Sequence, residues 1–323
     1  MKKLLFLLLS LSFIVSGCVV INLPKVEPLA EKSIGGTGAD KVVIIDISGI
    51  ITDHDEGSHM MFEKGPGMLA RVKEELDKAA RDSHVRAIVL RINSPGGSVT
   101  TCDILNHEIN EFRKSHKGVV VVAELMDIAA SGGYYVAAAS DRIVAHPTTV
   151  TGSIGVVAFS VNATGLMDKI GITNQTIKSA DKKDMGSPMR QMTPEEREIL
   201  QSIIDTMYGR FLDAVAAGRP ELAKLSRDEL KKIADGRVYS ADQAVSLKLA
   251  DRIGYLDDAV ALAKELAGIK EATVVTYSRP RAYKNNIYSL FDRDIPTTLN
   301  LVNIDAGALT ERSGMRFMYL WMP

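Results

Sequence analysis

Cysteine is nearly absent: the 323 residues hold two, Cys18 and Cys102. Two cannot build a disulfide framework, and their wide separation excludes a zinc finger, which needs a close pair. An excess of positive charge is also missing. Lys and Arg number 39 against 40 Asp and Glu, a net charge of −1. Nothing is left over to hold a phosphate backbone, so nucleic acid is not expected as a partner. There is no internal sequence repeat. Leu4 to Val15 is apolar apart from Ser10 and Ser12, but it falls short of the about 20 residues that cross a bilayer. What is present is ordinary globular composition, 46% apolar and 24% charged, which excludes wholesale disorder.

Met1-Lys2-Lys3 supplies a positive start to the short apolar run, the pattern of a secretory signal peptide. The run stops at Val15-Ser16-Gly17-Cys18, which resembles a bacterial lipobox. Residues 1–17 are then removed, and Cys18 becomes a lipidated N-terminus. The alternatives are a plain signal peptide or an uncleaved anchor with an incidental Cys. Cleavage removes two lysines, leaving 37 minus 40, or −3. Residues 18–39, with Pro24, Pro28 and Gly35-Gly36-Thr37-Gly38, read as a flexible tether.

From Asp40 the pattern alternates. The β-branched runs 41–47, 85–92 and 119–125 read as buried strands. Between them, residues 66–81 and 98–114 space apolar residues as helices do, the second through Ile104, Leu105, Ile109 and Phe112. Such alternation predicts βαβ units around a mostly parallel sheet covered on both faces. Shorter strands are expected at 142–145 and 173–177. Thr193-Pro194-Glu195-Glu196 opens a long helix that Gly218 and Pro220 end. Ser226…Glu229 and Ser240…Gln243 are further capping boxes, and a helix at 256–266 and a strand at 272–277 follow. Residues 40–277 therefore form one domain, and 278–323 a less regular extension ending in Phe317-Met318-Tyr319-Leu320-Trp321. That end is either a packed end strand or a membrane- or partner-contacting tail.

Three segments could hold chemistry. Asn93-Ser94-Pro95-Gly96-Gly97 joins a strand to a helix; it is an ordinary turn or a cradle of N–H groups for a negative oxygen. In Ala129-Ala130-Ser131-Gly132-Gly133-Tyr134-Tyr135, Ser131 is a helix N-cap or a nucleophile whose small neighbours admit a carbonyl. Its base could be His146, with an Asp orienting it, or a lysine of the loop 179–188, where Lys182-Lys183 otherwise read as solvated charge. A lysine serves as a base only where its surroundings favour the neutral amine.

Together with Thr151-Gly152-Ser153-Ile154-Gly155-Val156 and Lys182-Lys183-Asp184-Met185-Gly186-Ser187-Pro188, these segments resemble the bacterial signal peptide peptidase A family, in its short, single-domain form, across about residues 40–277. The resemblance implies an α/β fold of the Clp-protease/crotonase kind, with a helical C-terminal part, and a serine endopeptidase with no cofactor and no metal. It implies Ser131 as nucleophile, Lys183 as general base, Gly97 and more weakly Gly132 as oxyanion donors, and Ser153 as the residue that positions the lysine. Lys182 is the near neighbour that would mislead mutagenesis. The resemblance further implies remnant signal peptides as substrates, and homo-oligomers whose sites take Ser131 and Lys183 from neighbouring subunits. Lipid on Cys18 would hold the enzyme on a membrane of the bacterial envelope, facing the periplasm or exterior. Competing readings are a lipid-anchored scaffold without catalysis and a crotonase-like acyl-CoA enzyme on the same fold.

Overall fold

The computed structural model describes residues 28–53, 67–279 and 316–321. Its centre is a parallel sheet. Strands β2 (Lys41–Ser48), β3 (Val85–Ser94), β5 (Val120–Ala130) and β6 (Arg142–Ala145) lie side by side, with β10 (Arg252–Ile253) beyond β6 and β11 (Thr273–Ser278) beyond β2. Every neighbouring pair in that row is parallel. The long strands have side chains buried on both faces, which is why they read as continuous apolar runs.

Helices α1 (Met68–Ala80) and α2 (Val99–Ser115) cover one face. Met68, Val72, Leu76 and Ala79 of α1 point inward, as their spacing predicts. On α2 the buried stripe is Cys102, Leu105, Ile109 and Phe112, whereas Ile104 is exposed. Helix α8 (Leu256–Leu266) covers the other face, over Val42, Ile44, Val89 and Val122. The expected α/β class with a mostly parallel sheet is the observed one. The capping boxes at Thr193, Ser226 and Ser240 all form; they start α5 (Pro194–Gly218), α6 (Arg227–Ile233) and α7 (Ala241–Ser246).

Two expectations need correction. Residues 30–36, read as tether, form strand β1 (Ala30–Gly36), antiparallel to β11 at the edge of the sheet. An edge strand with one half-solvated face needs no apolar run, and Lys32 and Glu31 are charges typical of such an edge. Residues 173–177, read as a strand, have no strand structure; all are exposed and Ile177 is 99% exposed. A β-branched run becomes a strand only where an edge is there to pair it. The signal peptide, Cys18, His54 and His59 lie outside the described residues.

A row of ionisable side chains crosses the sheet beneath α8. Asp46, Arg91 and Glu124 are in register on β2, β3 and β5, and Arg91 pairs with Asp46. Glu124 is fully buried, and neither carboxyl oxygen has a hydrogen-bond partner among the described residues. Burial first, then the nearby Asp258, pushes its pKa up to about 9 against the pull of Arg91. The acid is therefore neutral at neutral pH.

Candidate active site

Three strand ends converge. β3 runs into the Pro95-Gly96-Gly97 turn, with Gly96–Ser98 forming β4, and β5 ends at Ala130, one residue before Ser131. The third, β7 (Val150–Gly152), pairs in parallel with the last residues of β5, setting Gly152 beside Ala130. Ser131 and Ser153 each follow directly. Open α/β sheets put ligand sites at such carboxyl ends.

Both serines are held in an unusual backbone conformation. Ser131 has φ 52° and ψ −116°, and Ser153 has φ 49°. Among the described residues only one other non-glycine, Lys248, has positive φ. That conformation is costly for a side-chain-bearing residue and persists only where neighbours enforce it. Here the Ser131 N–H donates to the Gly152 carbonyl at 2.7 Å, and the Ser153 N–H to the Arg237 carbonyl at 2.7 Å. Ser131 precedes α3 (Gly132–Ala137), but its side chain makes no capping bond. The bend turns it instead into a pocket of about 150 Å³, which Ser153, Val156, Val157 and Leu320 also line.

The glycines are demanded by space. A Cβ on Gly97 would lie 1.9 Å from the Ile51 carbonyl oxygen, and one on Gly132 2.4 Å from Cys102 Sγ. The Ile51 N–H donates to the Gly96 carbonyl and the Ser98 N–H to the Ile51 carbonyl, each at 2.9 Å. Alternation along a strand then turns the peptide groups of Gly97 the other way. On that side runs β12 (Arg316–Leu320), antiparallel both to β4 and to β8 (Val157–Phe159). Residues 316–320 are thus a packed strand, the first of the two readings open for this segment.

The lysine loop is built differently. From Gly155 to Glu195 no residue is buried. The segment contains the short helix α4 (Thr164–Lys169) and exposes Val161, Leu166, Ile170, Ile172 and Ile177. Its far end is fastened by charge. Arg190 forks onto Asp184 through two bonds of 2.8 and 2.9 Å and onto Glu196 through two of 2.5 and 2.9 Å. Lys178 adds a bond to Asp184 at 2.9 Å. The Arg190 and Lys178 bonds hold the Asp184 carboxyl well below the usual range, and Arg190 does the same for Glu196.

Within this network the two lysines differ. Lys182 pairs with Glu195 at 2.5 Å, and that carboxylate raises its pKa. Lys183 is exposed, and its amine has no partner among the described residues. It does not line the Ser131 pocket. One chain thus brings Ser131, Ser153, Gly97 and Gly132 together and leaves Lys183 outside. His146 also lies elsewhere: its ring contacts Thr148 at 2.9 Å and packs edge-on against Tyr255. Sequence reasoning missed Arg190, whose only signal was its place between two acidic clusters. It also missed Tyr319 and Leu320, which come to the site from the extension. Among the described residues no helix is long and apolar enough to cross a membrane, and no three metal-ligating side chains cluster.

Residues 111–270 match the family model described as Peptidase family S49. Over 242 residues the chain is 35% identical to an Enterococcus faecium protein named as a candidate signal peptide peptidase SppA, covering 75% of this chain and 68% of that one. It is 31% identical over 313 residues to the chloroplastic serine protease SPPA of Arabidopsis thaliana, covering 93% of this chain and 45% of the relative. Among solved structures, a mutant 1510-N membrane-bound stomatin-specific protease in complex with a substrate peptide superposes with a TM-score of 0.45 at 14% identity, over 79% of this chain and 98% of that one.

Proposed function

The chain belongs to peptidase family S49, and from that premise we propose that it is a serine endopeptidase whose nucleophile, Ser131, is activated by Lys183 of a neighbouring copy. The observation that carries this reading is the geometry of α5. Its residues Met207 and Phe211 lie by Tyr319, which pairs with Gly97. Its first turn, with Glu195 and Glu196, fastens the lysine loop. Glu196 precedes Met207 by eleven residues, which is roughly 16 Å along a helix axis. Within one chain Lys183 does not line the Ser131 pocket, which supports a base supplied by a neighbouring copy. An exposed apolar arm is also what a contact between subunits requires.

In the assembled site the Lys183 amine takes the Ser131 proton as Oγ attacks a peptide carbonyl. The Gly97 and Gly132 N–H groups hold the oxyanion, and Ser153 orients the lysine. Lys183 then protonates the leaving amine, and water releases the acyl group by the reverse path. Apolar peptides such as remnant signal peptides are the proposed substrates. A lipid on Cys18 would keep the enzyme at an envelope membrane of a bacterium, facing the periplasm or exterior, where such peptides are left.

The test is complementation. Ser131→Ala and Lys183→Ala proteins are each expected to be inert, and co-assembled mixtures to recover a quarter or more of wild-type peptide hydrolysis. Mixed assemblies without activity would sink the shared site. Wild-type assemblies without hydrolysis, and without labelling of Ser131 by a phosphonate, would favour the scaffold.

A further inference from the structure

Pro95-Gly96-Gly97 carries one of the two expected oxyanion donors, yet two of its three residues are glycines, which resist bending least. Gly96 sits at φ 99°. Ser94, the last residue of β3, fixes the turn. Its hydroxyl oxygen accepts the Gly96 N–H at 3.0 Å. Among the described residues no other side chain bonds to this turn; the bonds through Ile51 run backbone to backbone. Asn93 bonds elsewhere, its side-chain oxygen accepting the Ile128 N–H of β5 at 3.1 Å.

Ser94 touches three pieces of the site. It pairs in the sheet with Ala129, two residues before Ser131. Its carbonyl oxygen lies against α3, 2.6 Å from where a Cβ on Gly133 would stand. Through Gly96 it sets a turn that itself rests on α3: a Cβ on Gly96 would lie 2.6 Å from the Gly132 nitrogen, and one on Gly132 3.0 Å from the Gly96 Cα. The two segments that carry the donors are therefore in backbone contact, and a tilt of the Gly96 peptide changes how their N–H groups converge. Ser94 is fully buried, so substrate does not reach it. Its hydroxyl serves the turn alone. A buried N–H without an acceptor is costly. With alanine at position 94, the Gly96 peptide would rotate to find one, and the Gly97 N–H that follows would leave the point where the oxyanion forms.

We propose that Ser94 is a positioning residue for the oxyanion hole: by holding the Gly96 peptide it aims the Gly97 and Gly132 N–H groups at one point. This rests on the Ser131/Lys183 reading. Ser94 also takes the Gly96 N–H out of use, so that two donors rather than three face the reacting carbonyl. A pre-aimed pair acts on the tetrahedral oxyanion more than on the planar substrate carbonyl. The serine therefore governs turnover and leaves substrate affinity alone.

The test compares wild-type and Ser94→Ala assemblies of the full chain, with rates counted per Ser131 titrated by a fluorophosphonate. Ser94→Ala is expected to lower kcat about twentyfold, less than the hundredfold or more that a deleted oxyanion donor costs. KM is expected to stay within about twofold. A peptide aldehyde, which forms an oxyanion with Ser131, should bind about twentyfold more weakly to the variant, while the matching peptide alcohol binds equally to both. Unchanged kcat, a change in KM alone, or equal weakening of aldehyde and alcohol overturns the inference and leaves the Ser/Lys reading standing. Wild-type assemblies that neither hydrolyse peptide nor bind the aldehyde defeat the Ser/Lys reading itself. Should Ser94→Ala not fold, Ser94→Cys keeps the volume and offers only a weak acceptor. It is expected to lose about fourfold in kcat and in aldehyde affinity together; wild-type values for both overturn the role of the hydroxyl.

Discussion

Around Ser131 the chain is shaped by packing: three buried strands end together, two serines are bent into positive φ, and neighbouring glycines leave no room for a methyl group. Around Lys183 it is shaped by charge: no residue from Gly155 to Glu195 is buried, and one arginine fork and two lysine pairs hold the loop. The first region is complete in a single protomer. The second carries exposed apolar side chains, which on the proposed reading meet a neighbouring copy. A nucleophile needs a position fixed to a fraction of an ångström, which a core supplies. On the proposed reading, a base that reaches across to another copy has to stand on an arm.

The largest expected effect separates two adjacent residues of that arm. Lys183→Ala should lower kcat for peptide hydrolysis by about a thousandfold, within the range expected of a lost general base. Lys182→Ala, which loses only the exposed pair to Glu195, should stay within threefold of wild type. Equal losses at both positions, with unchanged assembly, would mean that net charge rather than one amine is what the loop provides. Next in size is the arm's apolar surface. Ile177→Ser should leave monomer stability within about 0.5 kcal/mol, while sedimentation shows smaller assemblies and specific activity falls about tenfold at low protein concentration. Unchanged assembly would remove the arm from the interface.

The smallest effect on activity belongs to the body. Glu124 has its folded pKa raised to about 9, against about 4.3 in an unfolded chain. The folded state therefore holds a proton that the unfolded state releases between those values. Stability is full below the lower value and falls as pH rises toward the upper one. The loss by pH 7 is about 3 kcal/mol relative to pH 4. Glu124→Gln should flatten this slope in urea melts at pH 5 to 8 without changing the relative rates of the two lysine variants. An unchanged slope would show that another group sets it.

The body was also the part that could be read in the residue pattern. Helix 256–266 and strand 142–145 fall where periodicity and β-branching put them, because a core selects side chains by position. Ser131 and Ser153 stood out only through their small neighbours; the backbone strain that marks them needs coordinates. The arm misled because its apolar residues serve no core, so Thr173–Ile177 looked like a strand with nothing to pair. Arg190 was silent because an arginine between acids looks the same in solution as in a lock. Strand β1 and Tyr319 were hidden for another reason: each is paired to a strand distant in sequence, Ala30 to Ser278 and Tyr319 to Gly97.

Strand β1 also sets a leash. Were residues 18–39 all slack, a lipid at Cys18 would let the folded body drift about 75 Å from the bilayer surface. With Ala30 pinned to the sheet edge, only twelve residues remain, and the reach shrinks to about 40 Å. An enzyme so moored would graze the shallow layer above one leaflet and leave deeper water unpatrolled.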